Sequence, residues 1–113
     1  MANGATRAGQ PLASAYEVLR GSRTIRAAGV NCSAPADVPT AVRTAVTVTG
    51  LPGVAYPNRG EAWENVSHTW FGSGTLDPGD VRGWIDAGAQ LVGGCCRVGP
   101  DDIAAIADVV ASC

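Results

Sequence analysis

The chain has 113 residues, of which 46% are hydrophobic, 16% charged and 5% aromatic, which is typical of one globular domain. The net charge is −2 and the eight basic residues, all arginines, are scattered, which argues against a nucleic-acid partner. No apolar run reaches the roughly 18–20 residues of a membrane span, and the first twenty residues lack the apolar stretch of a signal peptide. We therefore expect a cytoplasmic protein with neither a nucleic-acid nor a membrane partner.

The spacing of apolar residues and the turn residues between them predict four helices and three strands. Residues 1–9 are small and polar and are expected to form a flexible tail, which leaves 10–113 as the domain. Residues 58–77 show no periodicity and are predicted to be a long loop, a feature that is usually functional inside a compact domain. Strands are predicted at 24–31, 54–56 and 90–94, between helices that begin at Pro11, Ser33–Pro35, Pro78 and Pro100.

Short apolar strands that alternate with amphipathic helices indicate an α/β fold, in which helices cover a parallel sheet. The second helix is expected to face the sheet through Val38, Ala41 and Val42. The last helix is expected to bury Ile103, Ile106 and Val110.

The four cysteines are unlike a disulfide framework. Cys95 and Cys96 are adjacent, so their Cα atoms lie about 3.8 Å apart, closer than a disulfide usually allows. Cys32 follows the first strand and the Cys95–Cys96 pair follows the third. Since the carboxyl ends of parallel strands meet at one edge of a sheet, these three thiols are predicted to converge. Cys113, at the end of the chain, is given no role.

Three converging thiolates suit a Zn²⁺ ion, and a site with three protein ligands leaves one position open, as in catalytic zinc sites. The alternative for each cysteine is a small buried apolar side chain. His68 is a possible fourth ligand, although a lone histidine in a loop is more often exposed.

Other polar residues near the strand ends are candidates for substrate binding. Asn31 and Asn58 are expected to bind substrate or to orient the thiolates, and the alternative is that they stabilise turns. Glu61 is expected to line the loop, and Glu64 to be solvated. Trp63 and Trp70 would either wall a pocket or pack the loop against the sheet.

The chain resembles the C-terminal part of the homocysteine S-methyltransferase family. The motifs that carry the resemblance are GVNC at 29–32, YPNRGEAWE at 56–64, Trp70, GAQLVGGCCR at 88–97 and PDDI at 100–103. The YPNRGEAWE block is most similar to the branch that uses S-methylmethionine or S-adenosylmethionine. Arg59 departs from the family pattern, which has a small serine at this position, and Val98-Gly99 replaces two threonines.

This resemblance implies a zinc-dependent (β/α)8 TIM barrel with Cys32, Cys95 and Cys96 as the zinc ligands. It also implies methyl transfer from a sulfonium donor to homocysteine, giving methionine. Such a barrel takes about 250 residues, and this chain would supply only the sixth, seventh and eighth βα units. We therefore expect it to associate with a chain carrying the missing strands or with itself. The alternatives are a truncated zinc-binding fragment with no activity alone, or one half of a split barrel.

Overall fold

A computed structural model describes all 113 residues and contains four helices and five strands. The helices are α1 (Leu12–Glu17), α2 (Val38–Thr49), α3 (Val81–Asp86) and α4 (Pro100–Ala111). The strands are β1 (Ala28–Asn31), β2 (Gly53–Tyr56), β3 (Ala62–Glu64), β4 (Thr69–Phe71) and β5 (Ala89–Val92). Single turns of 3₁₀ helix, Pro35–Asp37 and Pro78–Asp80, lead into α2 and α3. None of the helices has the length and apolar character needed to cross a membrane.

Three strands form a parallel sheet in the order β1-β2-β5, which confirms the predicted α/β class. Ala28 of β1 is paired with Gly53 of β2, and Gly53 in turn with Ala89 of β5. Strand β2 is therefore central, while β1 and β5 each have one edge without a partner strand. The carboxyl ends of all three strands lie at the same edge of the sheet.

The helices cover one face of this sheet. Helices α2 and α3 pack on the strands, and α1 and α4 pack against α2 and α3. The side chains of Val38, Val42, Val81 and Trp84 are completely buried there. The residues predicted to face the sheet from α2 are therefore confirmed as core.

The opposite face of the sheet is uncovered, and we call it the open face; it consists of Asn31, Val54, Tyr56 and Leu91. In β1 and β2 these residues alternate with buried ones. In β5 a register shift leaves Gln90 and Leu91 exposed in succession, and the register pairs Asn31 with Tyr56 and Val54 with Leu91. Tyr56 is 40% exposed and Leu91 56% exposed, although an apolar side chain in a sheet is normally covered. The overall dimensions of 39 × 39 × 21 Å reflect a sheet with helices on one side only.

The structure differs from the sequence prediction in several places along the chain. Strand β1 begins at Ala28 rather than at residue 24, because its partner β2 is only four residues long. The predicted loop at 58–77 contains the antiparallel hairpin β3–β4, whose central pair is Trp63 and Trp70. Alternation over three residues is too short to stand out as a strand pattern.

The third difference concerns α4, in which Ile106 is buried as predicted but Ile103 and Val110 are 41% and 40% exposed. This helix packs mainly against α3 and the 3₁₀ turn before it, so only a narrow stripe is covered.

Residues 1–9, expected as a flexible tail, form turns that return to the body of the protein. Ala5 makes bridges to Ala2 and Pro11, and the Leu12 N–H donates to the Gly4 carbonyl at 2.9 Å. Met1 packs against the hydrophobic core. Polar composition alone gave no indication of these contacts, since backbone groups make most of them.

Candidate metal centre

Two backbone hydrogen bonds to the end of β2 position the three predicted cysteines. The Cys32 N–H donates to the Tyr56 carbonyl at 3.1 Å, and the Cys95 N–H donates to the Pro57 carbonyl at 2.8 Å. Strand β2 and the residue after it thus hold the segments that follow β1 and β5 on either side. As a result, cysteines from distant parts of the sequence meet at the carboxyl edge of the sheet.

The three sulfur atoms are close enough to hold one metal ion. Cys32 Sγ lies 3.4 Å from Cys96 Sγ, Cys95 Sγ lies 3.9 Å from Cys96 Sγ, and all three lie within 4.8 Å of one another. A tetrahedral ion with Zn–S bonds of about 2.3 Å places its sulfur ligands about 3.8 Å apart, so the spacing fits such an ion. No histidine or carboxylate joins this group, which leaves one tetrahedral position without a protein ligand.

An unusual backbone turns the thiols toward each other. Cys32 has φ of 50° and Arg97 has φ of 68°, in the left-handed region that non-glycine residues seldom adopt. At Gly94, a Cβ atom would lie 2.2 Å from a methyl carbon of Val98, so the turn from Gly94 to Val98 closes only without a side chain there. The Val98 N–H donates to the Cys95 carbonyl across this turn at 3.1 Å.

The thiols differ in acidity because they share hydrogen bonds. The hydrogen bond with Cys96, followed by burial, raises the pKa of Cys32 to about 11. Burial acts to raise the pKa of Cys95, but hydrogen bonds from Cys32 and Cys96 outweigh it and the pKa falls below its ordinary value. Cys95 therefore loses its proton more readily than Cys32, and a bound cation would favour the thiolate form of both.

Glu61 lies beside this cluster as a buried carboxylate. Its side chain is 4% exposed, and its Oε1 accepts a hydrogen bond from Arg59 Nε at 2.8 Å and lies 3.5 Å from Arg97 Nε. The hydrogen bond from Arg59 lowers the pKa of Glu61, so the carboxylate is charged near neutral pH. Its Oε2 is buried and has no hydrogen-bond partner.

Backbone groups of Arg59 also connect the segment after β5 to the segment after the hairpin. The Arg59 N–H donates to the Cys96 carbonyl at 3.0 Å, and the Arg59 carbonyl accepts from Thr75 and Leu76. The arginine thus neutralises Glu61 through its side chain and joins two loops through its backbone.

The two asparagines occupy different positions. Asn58 Oδ1 accepts a hydrogen bond from the Gly60 N–H at 2.9 Å, and the Asn58 N–H donates to the Ser33 carbonyl, so this residue stabilises a turn. Asn31 is exposed at the end of β1, and its side chain contributes to lowering the pKa of Cys95. Only Asn31 therefore has an amide that acts on a thiol.

A cavity of about 620 Å³ opens next to the thiols. Its walls are formed by Met1, Arg7, Cys32, Ser33, Ala34, Asn58, Glu61, Ala62, Trp63, Trp70 and Cys96.

Arg7 and Arg97 were not predicted as site residues, because nothing in local spacing marks a residue of the N-terminal turn or the neighbour of a cysteine. The one signal for Arg97 is its place in the motif GAQLVGGCCR, where it directly follows the cysteine pair.

Two remaining candidates lie away from the thiol cluster. His68 has its ring parallel to that of Trp63, with centroids 6.1 Å apart, and is not among the converging ligands. Glu64, expected to be solvated, accepts hydrogen bonds from the backbone N–H groups of Val66 and Ser67 in the hairpin turn.

Comparison with known proteins finds one family model and relatives named as methyltransferases. The family model described as homocysteine S-methyltransferase matches residues 1–110. The chain is 41% identical over 101 residues to homocysteine S-methyltransferase of Escherichia coli, covering 87% of this chain and 33% of the relative. It is also 38% identical over 90 residues to selenocysteine methyltransferase of Astragalus bisulcatus, covering 76% of this chain and 27% of that protein.

Solved structures agree with the sequence relatives. The metallated form of the homocysteine methyltransferase MmuM from Escherichia coli superimposes with a TM-score of 0.69 at 36% identity, covering 89% of this chain and 30% of that one. The chain thus spans about a third of the length of the curated relatives it matches.

Proposed function

The chain belongs to the homocysteine S-methyltransferase family, and we propose that it forms the zinc-holding sector of a barrel enzyme that transfers a methyl group to homocysteine. The methyl donor would be a sulfonium compound, S-methylmethionine or S-adenosylmethionine, and the product methionine. The observation that carries this proposal is the convergence of three thiols within 4.8 Å at the carboxyl edge of a parallel sheet. Ligand-binding residues of α/β folds collect at this edge.

The donor set favours zinc over a hard cation. Cys32, Cys95 and Cys96 offer only sulfur, and soft thiolate ligands select zinc rather than magnesium or calcium. When bound, zinc would hold the acceptor sulfur of homocysteine as a thiolate at neutral pH in the fourth position. The hydrogen bonds that lower the pKa of Cys95 favour the ionised form that such binding requires.

The transfer itself needs no oxidant and no general acid. A lone pair on the homocysteine sulfur forms a bond to the methyl carbon, while the bond from that carbon to the donor sulfur breaks. The electron pair of the broken bond stays on the donor sulfur, which becomes a neutral thioether. The chain's residues would contribute by orientation: Asn31 acts on Cys95, while Asn58 and Glu61 fix the wall beside the thiols.

We further propose that turnover requires the remaining barrel strands. Strands β1 and β5 each have an unpaired edge, and Tyr56 and Leu91 are exposed on the open face, where a closed barrel would have its interior. By itself the 113-residue chain would bind zinc without turnover, and it would become active when the other strands are supplied, as one half of a split barrel. The unpaired edges of β1 and β5 support both the expected lack of turnover by the chain alone and its expected activity with the missing strands.

Two measurements test the proposal. Zinc content of the reduced chain is expected to be one ion per chain, and to be lost in Cys95→Ala. Methionine formation from homocysteine and S-methylmethionine is expected to be absent with the chain alone. It should appear when a fragment of the Escherichia coli relative supplies the first five βα units. A reduced chain without zinc at neutral pH would overturn the proposal, as would a complemented barrel with zinc and no methionine formed from either donor.

A further inference from the structure

The two tryptophans of the hairpin form a corner of aromatic surface. Trp63 and Trp70 are direct cross-strand partners in β3–β4 and so project from the same face of the hairpin. Their ring centroids lie 5.2 Å apart with an interplanar angle of 61°. Two faces at such an angle can contact a rounded group from two sides.

The core does not account for this aromatic pair. Neither Trp63 nor Trp70 belongs to the hydrophobic core or to the side chains packed against it. Trp63 is 45% exposed, whereas Trp84, the third tryptophan, is completely buried. The hydrophobic core therefore does not explain the position of either indole, although the His68 ring stacks parallel to Trp63.

The aromatic corner opens into the cavity that is lined by two of the three thiols. Trp63 and Trp70 line the same space of about 620 Å³ as Cys32, Cys96 and Glu61. Indole faces attract cations, most strongly those whose charge is spread over methyl groups and is weakly hydrated. Arg7, in the same wall, is the cation with which a carboxylate on such a ligand would pair.

We propose that Trp63 and Trp70 form an onium-binding corner that holds the sulfonium group of the methyl donor toward the thiol cluster. This inference rests on the proposed function and assigns the residues that recognise the donor. Transfer of the methyl group removes the donor's positive charge, so the indoles bind the substrate more tightly than its neutral thioether product. The corner therefore distinguishes a sulfonium compound from the thioether of the same shape and favours product release.

The test measures binding of trimethylsulfonium to the zinc-loaded 113-residue chain, with neutral dimethyl sulfide as the uncharged comparison. Ligand NMR titrations report both affinity and the upfield shift that an aromatic face causes in the methyl protons. Trimethylsulfonium should bind with that shift and dimethyl sulfide at least about fivefold more weakly. Trp70→Leu should weaken trimethylsulfonium binding at least about fivefold, and Trp70→Phe by less, because phenylalanine keeps a π face.

Phe71→Leu is the matched control. Phe71 neighbours Trp70 on the same strand, is 56% exposed and lies outside the cavity wall, so its loss should leave binding unchanged. Circular dichroism of each variant establishes that the fold is kept. Equal affinity for the charged and neutral compounds, or unchanged binding in both Trp70→Leu and Trp63→Leu, would overturn the inference. Zinc content is measured in parallel: loss of onium selectivity with zinc retained refutes the corner alone, whereas absence of zinc refutes the proposed function.

Discussion

Cys32 and Cys96 are 64 positions apart in the sequence, yet their sulfur atoms lie 3.4 Å from each other. Parallel pairing of β1 and β5 with the shared neighbour β2 produces this contact. The left-handed backbone at Cys32 then turns the thiol toward its partner. The candidate metal centre is thus a property of the sheet rather than of any one segment.

Removal of one cysteine of the cluster should abolish tight zinc binding. Changing a residue that merely supports a metal ligand costs about 10- to 100-fold in affinity, so Cys96→Ala should cost at least about 100-fold. Competition with a chromophoric chelator under reducing conditions measures this. Cys113→Ala is the control, because Cys113 is an exposed cysteine outside the cluster and should leave affinity unchanged. Equal zinc retention by both variants would contradict the assignment.

The hairpin should lose order in acid through Glu64. Backbone hydrogen bonds from Ser67 and Val66 lower the pKa of Glu64 below 4.5 in the folded chain. A lowered folded pKa means stability that is present above the unfolded value and is lost as the pH falls through the folded value. Tryptophan fluorescence, to which Trp63 and Trp70 of the hairpin contribute together with the buried Trp84, should therefore change below about pH 4.5.

Glu64→Gln isolates this contribution. Glu61 also has a lowered pKa and keeps its partner Arg59 in the variant, so the difference between the two acid titrations reports Glu64. The variant should show a hairpin less ordered near neutral pH and a smaller change on acidification. Identical acid profiles would show that the Glu64 hydrogen bonds do not hold the turn.

Two glycine substitutions should have opposite effects on stability. A Cβ at Gly29 would lie 1.8 Å from the Val54 carbonyl oxygen, so Gly29→Ala must separate β1 from β2 and should cost more than about 2 kcal/mol. At Gly83, inside α3, no atom lies within 4 Å of the added Cβ. Gly83→Ala should therefore stabilise the protein by up to about 1 kcal/mol through helix propensity. Urea unfolding followed by circular dichroism measures both, and equal effects would contradict the register of β1.

The open face should drive self-association of the isolated chain. Leu91 is 56% exposed there, and covering such a side chain contributes about 1.5–3 kcal/mol. Leu91→Lys should shift sedimentation or size-exclusion profiles toward monomer by roughly tenfold in concentration. Val66→Lys is the control, since Val66 is 91% exposed at the hairpin turn, away from the sheet. A parent chain that is monomeric throughout would contradict this role of the face.

Most of the parallel sheet and its helices could be predicted from sequence, because each has a local cause. Apolar spacing in α2, the proline that begins the 3₁₀ turn before it, and the proline at the first position of α4 fix where those helices form. The hairpin could not be predicted, since its strands are only three residues long and depend on Trp63 meeting Trp70 across the turn. The exposure of Ile103 could not be predicted either, because it depends on which elements stand beside α4.

For the site, the sequence by itself determined the chemistry: three sulfur ligands, two of them adjacent after a glycine pair, and a family motif around them. It also determined that these cysteines follow strands, which is a local property. Only the tertiary structure decided that Glu61 is buried against Arg59 and Arg97, that Asn58 serves a turn, and that two tryptophans face the thiol cavity. The residue types determine which metal ligands are available. The distances between those ligands and the burial of their neighbours depend on long-range packing between segments that no local pattern connects.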